Sequence, residues 1–368
     1  MFLLSIIMRR LSLYIALVIV LVAGVQRASA QSLLLGADFA TLFDNTEYST
    51  MRYAGRSETL FSARLTPYLG VEWSQNSRLV FGADLVQDFG HDSKFVSDVN
   101  VLMYYNLSLP KVKVFAGIFP RCEMYGLRAP LFFDRGYRYY HNRIQGVMAR
   151  YGATDRSFVE FAMDYTGMRS VDTRESFMIM SAARHTLPCG FGFGYDFLMG
   201  HYAKDYNPAT ADGVVDNLMA TPFIRFDYSL AVGGGSAPIS LGAEARYIVS
   251  LQRDRHAENV WCAPMGGEIL VEAEWYGVSL RNRLYLGGNL LTHYDRYGAD
   301  LYYGVPFYRT MEGIYETIEL SYNRSFYDNT LSVEAGISLD YDGVGWGTRQ
   351  FILLGVNFGG KIPFKANK

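Results

Sequence analysis

The sequence predicts an all-β fold, a transmembrane, antiparallel, up-and-down β-barrel of about 16 strands. Three observations predict it: apolar and polar residues alternate with a period of two, the alternating segments add up to an even number of strands, and short connections alternate with long ones. Successive side chains of a strand point to opposite faces, so the alternation gives each strand one apolar and one polar face. Such strands suit a wall between lipid and water.

The N-terminal segment, residues 1–30, is predicted to be a cleaved signal peptide. Two arginines precede an apolar run over residues 11–25, and Ala28-Ser29-Ala30 supplies the small residues that a signal peptidase requires. An uncleaved anchor helix is the alternative, but the run is short for a membrane span of about 20 residues. We therefore expect an exported chain whose barrel occupies residues 31–368.

The strands are marked by alternation throughout the exported part of the chain. From Leu331 to Tyr341 every odd position is apolar or aromatic, whereas the even positions include Glu334 and Asp340. Similar segments begin near Ser32, Ser57, Arg78, Ser97, Val112, Arg143, Arg156, Arg174, Gly190, Asp216, Pro238, Glu268, Val278, Gly313, Asn329 and Arg349. Single-chain bacterial barrels have an even number of strands, as this count does.

Short links between the strands fix which residues lie opposite each other, and a slip by one residue would turn the apolar face inward. The links Pro110-Lys111, Tyr276-Gly277 and Gln75-Asn76-Ser77 all keep apolar residues on one face. The predicted pairs are Leu107 with Val114, Tyr105 with Ala116, Ala273 with Leu280, Trp275 with Val278, and Trp73 with Leu79. Long loops are predicted at the other end of the barrel, notably over residues 122–142 and 288–312.

Composition excludes several other classes of protein. Lys and Arg number 34 against 36 Asp and Glu, a formal charge of −2, and no basic stripe is present. A nucleic-acid partner is therefore not expected. Three cysteines do not make a disulfide framework, although a bridge between Cys122 and Cys262 is geometrically open, with Cys189 left over.

This layout resembles the outer-membrane β-barrels of Gram-negative bacteria, and among them the sixteen-stranded porin-like channels. Aromatic residues such as Trp73, Tyr105 and Trp275 end several apolar faces, as in the interface girdles of those barrels. The resemblance implies a location in the outer membrane and contact with its lipids and lipopolysaccharide. It also implies passive diffusion of small polar solutes, and it leaves assembly into a homotrimer open.

The candidate functional residues of such a channel are charged side chains that face the lumen. In porins the loop after the fifth strand folds into the lumen, and the corresponding segment here, residues 121–143, is rich in arginine and aromatic residues. We expect it to constrict the pore by placing guanidinium groups opposite wall carboxylates such as Glu160 and Asp164. The predicted pore-lining or constriction residues are Arg64, Arg121, Arg128, Arg135, Arg138, Arg143, Glu160, Asp164, Arg225, Glu272, Arg281 and Arg283.

Two alternatives stay open at this point. The arginine-rich segment could instead be an external loop packed on its own aromatics, and the barrel could be a structural or adhesive protein with a closed lumen. If the lumen conducts, its nearly balanced charges predict weak ion selectivity.

The sequence contains no recognisable catalytic motif. His91-Asp92 and His293 with Asp295 are conceivable acid–base pairs, but there is no nucleophile elbow, H-E-x-x-H or C-x-x-C motif. The expectation from sequence is a protein that is not an enzyme and that has no catalytic residues, metal site or cofactor.

Overall fold

A computed structural model describes residues 32–54, 57–74, 76–90, 92–170, 173–203, 213–232 and 237–363 as a closed barrel of 16 strands. Each strand pairs antiparallel with its neighbours in sequence, and β1 closes the barrel by pairing with β16. The predicted fold class is therefore confirmed. Residues 1–30, the predicted signal peptide, lie outside the described residues.

The strands alternate in direction between the two ends of the barrel. They are β1 Ser32–Glu47, β2 Glu58–Ser74, β3 Ser77–Asp88, β4 Asp98–Ser108, β5 Val112–Pro120, β6 Arg143–Thr154, β7 Ser157–Gly167, β8 Ser176–Thr186, β9 Phe191–Tyr202, β10 Val215–Val232, β11 Ala237–Asp254, β12 Met265–Trp275, β13 Val278–Gly287, β14 Ile314–Phe326, β15 Leu331–Tyr341 and β16 Trp346–Pro363.

The two ends of the barrel differ in their connections. One end, here called the turn rim, carries the short links, such as residues 276–277 between β12 and β13. Tyr276 and Gly277 both have positive φ, 50° and 84°, as a two-residue type I′ hairpin turn requires. The opposite end, the loop rim, carries the long loops with two short helices, α1 Arg135–Tyr140 and α2 Tyr294–Tyr297. No helix among the described residues has the length and apolar character needed to cross a membrane.

The wall separates apolar from charged side chains as the alternation predicts. Leu280, Leu320 and Ile337 lie side by side on β13, β14 and β15, and each is about half exposed on the outside, at 51%, 50% and 45%. The next residues along the strands face inward, where Arg281 pairs with Glu319 at 3.3 Å. Lipid therefore meets an apolar band around the middle of the barrel, and at this level the charged side chains face the lumen.

The register predictions are confirmed at two of the three short links. Leu107 lies opposite Val114, and Tyr105 opposite Ala116, across the β4–β5 turn. Ala273 and Trp275 lie opposite Leu280 and Val278 across the β12–β13 turn. The prediction that Trp73 faces Leu79 is wrong, because the β2–β3 register shifts between Glu72 and Ser74 and pairs Leu79 with Val71. Such a β-bulge adds a residue to one strand, which sequence alternation alone does not reveal.

Leu320→Arg tests the orientation of the wall. Leu320 faces outward near the middle of β14, so an arginine there is expected to lower the free energy of unfolding in lipid vesicles by about 2–4 kcal/mol. Thr317→Arg is the matched control, because Thr317 lies on the same strand and lines a cavity in the lumen. Equal losses in the two variants, measured by urea titration, would contradict the assigned faces.

Candidate functional site

The loop between β5 and β6, residues 121–142 and here called the inner loop, folds back into the lumen. Carboxylates of the wall hold its first turn. Asp164 on β7 pairs with the Arg121 guanidinium at 2.5 Å, and both side chains are almost fully buried. Glu160, also on β7, accepts hydrogen bonds from the backbone N–H groups of Tyr125 and Gly126, the latter at 2.6 Å. These carboxylates are therefore anchors for the loop.

Close packing against β8 and β9 continues this attachment. Asp196 on β9 accepts a hydrogen bond from the backbone N–H of Leu127 at 2.8 Å. A Cβ atom on Gly126 would lie 2.1 Å from the Cβ of Ala182, so a larger residue at this position would push the loop off the wall. The inner loop therefore packs directly against the barrel wall at Gly126.

The far end of the inner loop reaches the opposite side of the barrel. Arg135, the first residue of α1, pairs with Glu334 on β15 at 2.5 Å and with Glu319 on β14 at 3.6 Å. Its guanidinium also lies over the ring of Phe351, 3.5 Å from the ring centroid. Since β14 lies half-way round the barrel from β6, the inner loop crosses the lumen.

The loop between β13 and β14, residues 288–313, is the second element inside the barrel. It joins the inner loop through two backbone hydrogen bonds, from Val305 N–H to Pro130 O at 2.9 Å and from Asp134 N–H to Tyr303 O at 2.8 Å. The rings of Tyr303 and Tyr137 pack 4.7 Å apart. The two loops together form a partition in the lumen.

Cavities lie on both sides of the partition. On the loop-rim side, a vestibule of about 1020 Å³ is lined by residues that include Asp98, Tyr137 and Tyr303. On the turn-rim side, two adjoining cavities of about 940 and 710 Å³ share Arg64, Arg128 and Arg138 in their linings. We call these adjoining cavities the inner chamber.

All twelve sequence-predicted residues lie on the lumen wall or the inner loop, but most are held in ion pairs. Arg64 and Arg143 both form ion pairs with the carboxylate of Asp84 on β3. The Arg64 guanidinium lies 3.5 Å from this carboxylate. The predicted wall residues in the chamber form ion pairs: Arg225 with Glu272 and Glu244, Arg281 with Glu272 and Glu319, and Arg283 with Glu268. The negative charge of Asp164 is thus neutralised by Arg121 of the loop, and that of Glu160 by Arg150 on β6, at 3.7 Å.

The inner loop carries a local excess of positive charge. Burial and the neighbouring charges of Arg128 and Arg121 lower the pKa of Arg138 to about 10. Arg138 stays charged at neutral pH because its pKa is still well above 7.

Burial raises the pKa of the Tyr140 hydroxyl to about 12, so this hydroxyl stays neutral and donates a hydrogen bond to Asp88 at 2.8 Å.

A second polar cluster, the rim patch, lies on the outside of the barrel at the loop rim. Asp216 on β10 accepts hydrogen bonds from Arg253 at 2.8 Å and from Arg255 at 2.7 Å. His201 on β9 is the register partner of Asp216, and its ring stacks on that of Phe177 at 4.8 Å. Opposed side chains of adjacent strands have Cβ atoms about 4.5–5.5 Å apart, so His201 and Asp216 are neighbours.

The acid–base pairs considered from sequence are not assembled in the structure. Asp295 pairs with Arg309 at 3.2 Å, and His293 keeps a buried Nε2 with no hydrogen-bond partner. His91 lies outside the described residues. The Ser157 hydroxyl is within 3.0 Å of His185 Nδ1 at the turn rim, a pairing that the sequence analysis missed.

The described residues hold no group of three or more His, Cys, Asp or Glu side chains placed to bind a metal. Cys122, Cys189 and Cys262 are free thiols, so the bridge left open between Cys122 and Cys262 is not formed.

The chain matches the model of a protein family described as Lipid A 3'-O-deacylase-type over residues 25–345. No curated protein matches it. Its fold is similar to solved structures of low sequence identity, and three of them are described by their identity, TM-score and coverage. OprB of Pseudomonas putida has 10% identity and a TM-score of 0.48, with 89% of this chain and 94% of that chain covered. OmpF of Salmonella typhi has 11% identity and a TM-score of 0.46, with 88% of this chain and 97% of that chain covered. A loop L8 deletion mutant of OmpT, an outer membrane protein of Vibrio cholerae, has 12% identity and a TM-score of 0.46. The match covers 90% of this chain and all of that chain.

The family match corrects one expectation. The matched family is named for an enzyme, so the prediction that the chain is not an enzyme is wrong. The motifs sought in the sequence belong to other enzyme folds, and a site assembled from residues on separate strands has no such signature. The closed sixteen-strand barrel and the family together make the chain an outer-membrane β-barrel, as the resemblance implied.

Proposed function

The chain belongs to the lipid A 3'-O-deacylase-type family, and we propose that it hydrolyses an acyl ester of a glycolipid in the outer leaflet of the outer membrane. The observation that carries this proposal is the rim patch, where His201 and Asp216 lie opposite each other on the lipid-facing side of the wall. Arg253 and Arg255 lie beside them.

The depth of the rim patch suits an ester bond. The outward-facing residues one step closer to the barrel middle are Met199, Leu218 and Leu251, which are apolar. His201 and Asp216 therefore lie just beyond the apolar band, where acyl chains meet headgroups. Long loops of such barrels face the outside of the cell, which assigns this boundary to the outer leaflet.

The side chains of the rim patch can perform the steps of ester hydrolysis. His201 takes a proton from water, whose oxygen attacks the ester carbonyl. The guanidiniums of Arg253 and Arg255 stabilise the oxyanion of the tetrahedral intermediate. The imidazolium, stabilised by Asp216, then returns the proton to the leaving alkoxide, and the products are a fatty acid and an alcohol.

His201→Ala tests this proposal. Removing a general base is expected to slow fatty-acid release from lipopolysaccharide in proteoliposomes by about 100-fold or more, measured by mass spectrometry. His185→Ala is the matched control, because His185 lies at the turn rim, which is at the level of the opposite membrane leaflet. Activity lost in His185→Ala and kept in His201→Ala would move the site to Ser157 and His185. Absence of release by the wild type would contradict the hydrolase proposal.

Passage of small polar solutes is a second candidate function. The observation that favours it is the position of the inner loop, which crosses a lumen with cavities on both sides. The alternative from sequence analysis, a structural or adhesive barrel with a closed lumen, predicts no conductance. Contact with lipopolysaccharide is part of the hydrolase proposal, and homotrimer formation stays a prediction.

Arg135→Ala separates the open from the closed lumen. The change removes the ion pairs to Glu334 and Glu319 that hold the far end of the inner loop. The freed loop is expected to increase single-channel conductance in planar bilayers. Arg324→Ala is the control, since Arg324 lies outside the lumen linings at the turn rim, beside Phe326. Silent bilayers for wild type and variant would favour the closed barrel.

A further inference from the structure

Two arginines of the inner loop differ from the other arginines around them. Arg128 and Arg138 form no ion pair with any carboxylate of the described residues. Arg128 donates hydrogen bonds to the carbonyl oxygens of Met124 and Tyr125, at 2.7 and 3.3 Å. Arg138 donates to those of Leu127 and Phe133, at 2.7 and 3.2 Å. Carbonyl groups satisfy N–H donors but do not supply the full negative charge of a paired carboxylate.

The wall of the inner chamber adds to this excess. Arg184 on β8 lines the chamber without a carboxylate partner among the described residues, and its buried Nε has no hydrogen-bond partner. Arg64 shares the single carboxylate of Asp84 with Arg143, and its own Nε is also buried without a partner. Arg64, Arg128, Arg138 and Arg184 therefore line one space.

The geometry and charge of this space suit a bound anion. Arg128 and Arg138 line both cavities of the inner chamber, and Arg128 is exposed. Arg138 hydrogen-bonds the carbonyl oxygen of Leu127, the residue next to Arg128, so the two arginines are neighbours, and the charge of Arg128 contributes to the lowered pKa of Arg138. Two adjacent cations in a partly enclosed space attract an anion more strongly than they would in open water.

We infer that the inner chamber binds a small solute with a phosphate or carboxylate group at Arg128 and Arg138. Guanidinium forks bind the oxygens of either group in pairs, which favours an oxyanion over a halide. The weak selectivity expected from the overall charge balance is then replaced by a preference for anions, because Arg121 and Arg135 of the inner loop are used in ion pairs with wall carboxylates and Arg128 and Arg138 are not. This inference is independent of the hydrolase proposal and of whether the lumen conducts.

Calorimetric titration of the purified full-length protein tests the site, with inorganic pyrophosphate and citrate as separate probes in detergent at low ionic strength. The wild type is expected to bind at least one probe, and the tighter probe identifies the preferred group. Arg128→Gln with Arg138→Gln is expected to weaken binding by at least about tenfold, because the change removes the charge-assisted hydrogen bonds to the probe. Arg324→Gln removes one guanidinium charge outside the lumen and is expected to leave binding unchanged.

The lysine variant shows whether a loss of binding comes from the missing guanidinium groups or from misfolding. Arg128→Lys with Arg138→Lys keeps both charges but not the forks, so its affinity is expected to fall between those of the wild type and the glutamine variant. Folding of each variant is checked by the mobility shift between heated and unheated samples in gel electrophoresis. Wild type that binds neither probe, or glutamine and wild-type proteins with equal affinities, would overturn the inference.

Discussion

The attachment of the inner loop to carboxylates of the barrel wall is the interaction on which the rest of the interior depends. A wall of 16 strands encloses a wide space, and its charged side chains cannot face lipid. Asp164 and Glu160 bind one end of the loop, and Glu334 binds Arg135 at the other. Removing one partner of a buried pair such as Arg121–Asp164 costs about 3–5 kcal/mol, so this contact holds the loop strongly.

Most of the fold could be predicted from the sequence because the physical cause is local. Contact with lipid on one side and water on the other imposes the period of two, and two-residue links such as Tyr276-Gly277 fix the register. The prediction failed at Trp73, where a bulge shifts the β2–β3 register. A bulge depends on the fit between neighbouring strands, and the linear pattern carries little sign of it.

The candidate sites were less predictable. The sequence identified the arginines of the inner loop but treated Glu160 and Asp164 as free wall charges, because ion pairing depends on distances across the lumen. The rim patch was missed since it combines residues from β9, β10 and β11 with the loop beyond. Its signal was present nonetheless: His201, Asp216 and Arg253 continue the outward-facing positions of their strands, where apolar residues would otherwise be expected.

Trypsin digestion of the protein in lipid vesicles tests most directly whether the inner loop lies inside the barrel. The loop contains Arg128, Arg135 and Arg138, and trypsin is too large to enter the lumen. Peptide mass spectrometry is expected to show cleavage after the exposed Lys94 of the β3–β4 loop, and none after these arginines. Cleavage after Arg128 or Arg135 as fast as after Lys94 would place the loop outside the barrel and contradict the account.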